Sequence, residues 1–140
     1  MYYVNQEQLA VRLQVLPELA AALDMISASW QGTLLEGLAQ ERALHLALET
    51  VTDVGSFLID GFIMRDASSY EDIIDIIASE GVFSAEELPM LLQLVKLRKP
   101  LVQDYYEWPR SELHPLSLEL PKRLLSFKQA VEAYLARELE

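Results

Sequence analysis

From Thr33 to about Met64 the chain carries one helical pattern, and that stretch limits the fold more than any other. Thr33-Leu34-Leu35-Glu36 reads as a capping box, in which a threonine hydroxyl and a glutamate three residues on satisfy the first free N–H groups of a helix. Leu34, Leu38, Leu44, Leu48, Val51, Leu58 and Phe62 then form one apolar set. Leu35, Leu46, Val54, Phe57 and Ile59 widen it well past a single stripe. Arg42, His45, Glu49, Thr52, Asp53, Ser56 and Asp60 are confined to a narrow polar strip at spacings of three and four. A helix apolar over more than half its circumference needs other elements around it, so the expectation is a mostly buried central helix.

The remaining segments are helical too. Leu, Ala, Glu, Gln and Met abound and favour helix. Leu9, Leu13, Leu16, Ala20, Leu23 and Ile26 step by three and four, which predicts a helix from about Asn5 to Ala28, kinked at Pro17. Arg65 to Ser69 is a loop, and Ser68 with Glu71 is a second capping-box candidate. A short helix from about Tyr70 to Glu80 follows, ended by Gly81 as a C′ residue. Ser84 to Glu87 is a third box, opening a fourth long helix to about Tyr106, with Pro89 early in it and a kink at Pro100. Trp108 to Ser111 breaks the chain. The last helix is regular from about Leu116 to Glu138, its start made irregular by Pro115 and Pro121. No period-two strand pattern stands out. The fold class is therefore all-α: an up-and-down four-helix bundle with one extra short helix, in a single domain over residues 1–140.

Charge and composition exclude several functions. With 22 acidic and 11 basic residues the net charge is −11, which opposes passive binding to bulk nucleic acid or anionic membrane. Residues 96–140, however, hold 8 of the 11 Lys and Arg, including Lys96, Arg98 and Lys99, so a phosphate contact is expected there if anywhere. The chain has no Cys, which removes disulfides, zinc thiolates, iron–sulfur clusters and thiol nucleophiles. Its only two His are His45 and His114. No run reaches the roughly 18 apolar residues of a membrane span, and residues 1–6 lack the basic and apolar regions of a secretory signal, so a cytoplasmic location is expected.

No glycine-rich phosphate loop, Walker sequence or nucleophile elbow occurs. Glu49 and Asp53 share a helix face four residues apart, but no third ligand joins them, so neither a metal nor a cofactor is expected. The two carboxylates repel. A basic residue on a neighbouring helix is expected beside them, Arg98 being the first choice.

Arg98, Leu101, Val102, Gln103 and Tyr105 carry a resemblance. Their types and spacing are similar to the motif of the HepT-like proteins, a branch of the HEPN superfamily of helical-bundle ribonucleases: Arg, four residues, His, one residue, Tyr, commonly with Leu-Val before the His. Residues 62–66 and 69–73 also resemble the YutE-like subgroup, which has Gln in place of the motif His. The resemblance spans nearly the whole chain in helix order and length.

It implies a metal-independent endoribonuclease, the toxin of a toxin–antitoxin pair, working as a homodimer whose motif helices meet across the two-fold. The implied partner is a minimal nucleotidyltransferase antitoxin that attaches AMP to the motif Tyr, here Tyr105. Arg98 would hold the phosphate with a planar fork. Gln103 occupies the place of the proton carrier, yet an amide neither takes nor gives a proton at neutral pH. Weak or absent cleavage is therefore expected. The alternative is a non-enzymatic dimeric interaction protein, or a protein that binds RNA or nucleotide without cutting. Arg98 and Gln103 are five positions apart, which is not one clean helical face, and a distortion at Pro100 is expected to bring them to one groove.

Overall fold

The Thr33 box forms as read. In the computed structural model, which describes residues 2–139, Glu36 N–H donates to Thr33 Oγ1 at 3.2 Å and Thr33 N–H donates to Glu36 Oε1 at 3.0 Å. It opens α3, Leu34–Gly61. Around it stand α1 (Gln6–Leu13), α2 (Val15–Ala28), α4 (Tyr70–Ser79), α5 (Leu88–Lys96) and α6 (Leu116–Glu138). α2 packs against α3 and α6, α1 against α3, and α4 against both α3 and α5. The fold is the all-α bundle expected, with the first and fourth predicted helices each broken into shorter pieces. One core runs through it, with Leu16, Leu48, Ile77, Leu94, Leu124 and Phe127 all sealed from solvent. Each such side chain contributes about 1.5–3 kcal/mol by leaving water.

Prolines place the breaks, though not always where the sequence suggested. The first segment is two helices rather than one kinked helix, and it breaks at Gln14, ahead of Pro17. Pro17 has no N–H to offer the carbonyl of Leu13, so α1 ends there. Pro121 is accommodated inside α6. The Ser117 carbonyl that it leaves without an intrahelical donor accepts from Ser27 Oγ of α2 at 3.2 Å.

The second capping box is shifted by one residue. Ser69, not Ser68, caps α4 by accepting from Asp72 N–H at 3.0 Å, and Glu71 takes no part. Asp72 reaches back to Ser68 N–H at 2.9 Å and takes both guanidinium nitrogens of Arg65 at 2.7 Å. Those contacts hold its carboxyl well below the usual carboxylate range. Ser84 caps only a 3₁₀ turn, Ala85–Glu87, and Glu87 turns away to pair with Arg123 of α6 at 2.8 Å. The fourth helix is correspondingly broken: α5 ends at Lys96, a π-helical turn covers Lys99–Gln103, and a 3₁₀ turn covers Tyr105–Glu107.

α3 is buried over most of its length but not at its start. Leu34, Leu35 and Leu38 are exposed, against the expectation that they join the core. The segment that crosses this end of α3 approaches the other face. A Cβ on Gly37 would overlap the Arg110 carbonyl, so only glycine lets that segment lie so close. Thr52 departs the other way. It belongs to the polar strip by sequence but is buried, its hydroxyl donating to the Leu48 carbonyl at 2.9 Å.

Ile63 closes α3 at φ +54°, the left-handed position that usually falls to glycine, while Met64 N–H donates to the Ile59 carbonyl at 2.9 Å. A β-branched side chain crowds the backbone there, and this one is 74% exposed, so it returns little by burial. Ile63→Gly is expected to stabilise the fold by about 1 kcal/mol, the ordinary cost of a left-handed L-residue. Urea denaturation checks it: the midpoint should rise with the slope unchanged.

Candidate functional site

The polar strip of α3 meets the segment after α5. Glu49 Oε1 lies 3.7 Å from Arg98 Nη1 and 3.4 Å from His45 Nε2. Asp53, the other carboxylate expected at Arg98, is instead paired with Arg12 Nε of α1 at 3.3 Å. α1 packs on α3 one turn further along, and its single arginine captures Asp53 first. The two carboxylates are thus drawn to different cations and do not form a common chelate. Among the described residues no three His, Asp or Glu converge as a metal site.

Arg98 is held from a second side. Its guanidinium carbon stands over the Tyr70 ring, 4.2 Å from its centre, a cation–π contact. Tyr70 opens α4, and α4 is pressed close to α3 because Gly55 has no Cβ to collide with Ile73. Arg98 and Gln103 line one open cleft of about 340 Å³ with Tyr70, Lys96 and Lys99. Its walls gather three of the chain's cations against Glu71, so the site has a cationic wall on a protein of net charge −11.

The π turn explains how both motif residues reach this cleft. Pro100 cannot donate back to Lys96, and the helix widens until Asp104 N–H reaches the Lys99 carbonyl at 3.0 Å, five residues back. In an α-helix, position 103 would lie about 140° around from 98, at 100° per residue. A turn with a five-residue hydrogen-bond step reduces that offset and leaves Gln103 exposed beside Arg98.

Tyr105 does not line this cleft. It stands on the next turn and is 54% exposed. Tyr106 is exposed as well and packs edge-on against Tyr105 with centroids 5.8 Å apart, on the same 3₁₀ turn. The turn is anchored through Arg110, which donates to the Tyr105 carbonyl at 3.1 Å and pairs with Glu41 of α3 at 2.7 Å.

The two histidines differ in kind. His114 stacks on Trp108 with centroids 5.6 Å apart, and its Nδ1 accepts from Leu116 N–H at 3.1 Å, which caps the start of α6. Burial pushes its pKa down. His45 is open to a smaller cleft of about 220 Å³, lined also by Leu38, Glu41, Arg42 and Leu101. Its Nδ1 lies 3.4 Å from Arg42 Nη1.

Sequence reasoning missed Tyr70 as the support of Arg98, although a tyrosine opening the short helix was in plain view. It also missed Gln40, a fully buried polar side chain of α3. Gln40 accepts from His114 N–H at 2.8 Å and Ser117 Oγ at 2.7 Å, and donates to the Glu112 carbonyl at 3.0 Å.

Comparison with known proteins identifies the family and the fold. Residues 13–112 match the family described as Ribonuclease HepT-like. A Bacillus subtilis (strain 168) protein described as "Putative RNase YutE" is 37% identical over 139 residues, covering 99% of this chain and 95% of that one. The solved structure of YutE from Bacillus subtilis, described as a cytosolic protein of unknown function, superposes with a TM-score of 0.89 at 36% identity. That match covers 99% of this chain and 96% of the other.

Proposed function

We propose, from the premise that this chain belongs to the HepT-like ribonuclease family, that it binds RNA over the Arg98 cleft and cleaves it slowly, without a metal. The observation that carries the reading is Arg98 itself, held between Glu49 and the Tyr70 ring in an open cleft flanked by Lys96 and Lys99. A fixed guanidinium fork binds phosphate, and an aromatic ring beside it offers a face on which a base stacks. Gln103 hydrogen-bonds the RNA but carries no proton, so the rate is low.

The protein acts in the cytoplasm as a homodimer. The exposed Leu34, Leu35 and Leu38 at the start of α3 supply an apolar patch for a second copy. Its role is that of the toxin in a toxin–antitoxin pair, with Tyr105 as the residue that a minimal nucleotidyltransferase antitoxin adenylylates. The exposure of Tyr105 supports that assignment. Gln103 supports a second reading, a dimeric protein that binds RNA or nucleotide and does not cut.

Fluorescence anisotropy with a short single-stranded RNA tests the binding shared by both. Arg98→Ala and Tyr70→Ala should each weaken binding by roughly 10-fold, in line with about 1–3 kcal/mol per stacked base or charged contact. Light scattering on the same samples should give twice 15.9 kDa. No RNA binding, or binding that neither substitution changes, contradicts the reading.

A further inference from the structure

We infer that Glu71 makes the Arg98 cleft selective for guanine, receiving the base of the nucleotide whose phosphate Arg98 holds. The inference rests on the reading of this cleft as an RNA site and adds to it the group that chooses the base.

The cleft is divided by hydrogen-bonding type. Where α5 runs into the π turn, its wall carries Lys96, Arg98 and Lys99, which only donate. The first turn of α4 supplies Tyr70 and Glu71 to the same lining. Glu71 is the one lining side chain that accepts without donating. Gln103 donates and accepts through its amide, so it rejects no base.

Glu71 is also uncommitted. Its neighbour Asp72 is fully engaged by Arg65 and Ser68. Among the described residues no hydrogen bond or salt bridge engages the Glu71 carboxylate, and the residue is exposed. The cations of the cleft are drawn elsewhere, Arg98 to Glu49 at 3.7 Å and Lys99 to Asp104 at 3.5 Å. The acceptor therefore stays open opposite the donors.

A nucleotide has the same polarity. Its phosphate takes the donor wall, where contacts fix position without reading sequence. Its base extends toward α4, where Tyr70 is 46% exposed even with Arg98 over its ring and gives the base a surface to stack on. Glu71 then meets the Watson–Crick edge. Guanine alone presents two adjacent donors there, N1–H and the exocyclic amino group, which match the two oxygens of a carboxylate. Adenine and cytosine each place a ring-nitrogen acceptor beside the amino group, and uracil flanks N3–H with two carbonyls. Those acceptors repel a carboxylate. The volume of about 340 Å³ lies at the small end of the range for a ligand pocket, which suits one base rather than several.

The test is fluorescence anisotropy of the full chain with short oligouridines, each carrying one central guanosine, inosine or adenosine, beside oligouridine itself. The natural protein should bind the guanosine RNA about 10-fold more tightly than the adenosine RNA or oligouridine, within the range of a matched bidentate contact. Inosine lacks the exocyclic amino group and should lose most of that preference. Glu71→Gln and Glu71→Ala should each bring the guanosine RNA to within about twofold of the others, with circular dichroism melts confirming that both variants are folded. Arg98→Ala should weaken binding of every RNA, as loss of a phosphate contact does. Equal binding of all four RNAs by the natural protein, inosine bound as tightly as guanosine, or a guanosine preference that survives both Glu71 variants overturns the inference. The cleft reading then stands if Arg98→Ala still weakens binding. If Arg98→Ala binds as well as the natural protein, or the natural protein binds none of the RNAs, the cleft reading falls and the inference with it.

Discussion

Gln103→His is expected to raise RNA cleavage about 10²-fold. The substitution alters one group and leaves the rest of the cleft as it is: Gln103 is exposed, so an imidazole fits without displacing core atoms. Arg98 remains fixed by Glu49 and Tyr70. What is added is an imidazole, with an unperturbed pKa of about 6.5, at the position that the resemblance assigns to a proton carrier. General acid–base catalysis is worth 10²–10⁴-fold. The lower figure is expected because a misplacement of about 1 Å costs on the order of 10²-fold, and the π turn that aims position 103 was not shaped around an imidazole. Rates measured under single-turnover conditions check the change. A rate no higher than that of the natural protein, with RNA binding intact, would mean that the turn aims position 103 away from the 2′-hydroxyl and its leaving group.

The largest effect on stability is expected from Gln40→Leu, at about 3 kcal/mol. The replacement is close in size, so little packing is lost. It strips partners from the His114 N–H, the Ser117 hydroxyl and the Glu112 carbonyl, in or beside a buried pocket. A buried polar group left unpaired costs about 1–3 kcal/mol, partly relieved where water reaches it. Against a total of about 5–15 kcal/mol, that is a large share. The urea midpoint should fall with an unchanged slope. The same segment carries Arg110, which ties the Tyr105 carbonyl to Glu41, so hydrogen exchange at residues 105–115 should quicken as well.

How far the sequence reaches is visible in the same residues. The Thr33 cap, the Gly81 stop and the full extent of α6 are local effects, set by side chains within a few positions, and all were legible. The break at Gln14 rather than Pro17 is legible only when the missing N–H is traced to the carbonyl it deprives. The exchange of partners, Asp53 to Arg12 and Glu49 to Arg98, depends on which helix packs at which height along α3. Periodicity does not encode that. Nothing near Gln40 in the sequence marks it, because its three partners lie 72–77 residues away. Arg98 and Gln103 were named from spacing, but their shared cleft exists because Pro100 forces a wider turn and Tyr70 arrives from α4.

The central claim is that the Arg98 cleft is where RNA is cut. It is tested most directly by incubating a 5′-labelled single-stranded RNA with the purified protein in excess chelator, beside Arg98→Ala. The account predicts slow cleavage that leaves 2′,3′-cyclic phosphate ends, and a loss of at least about 10²-fold in Arg98→Ala, the scale seen when one donor to a developing charge is removed. Cleavage at equal rates by both proteins would contradict it.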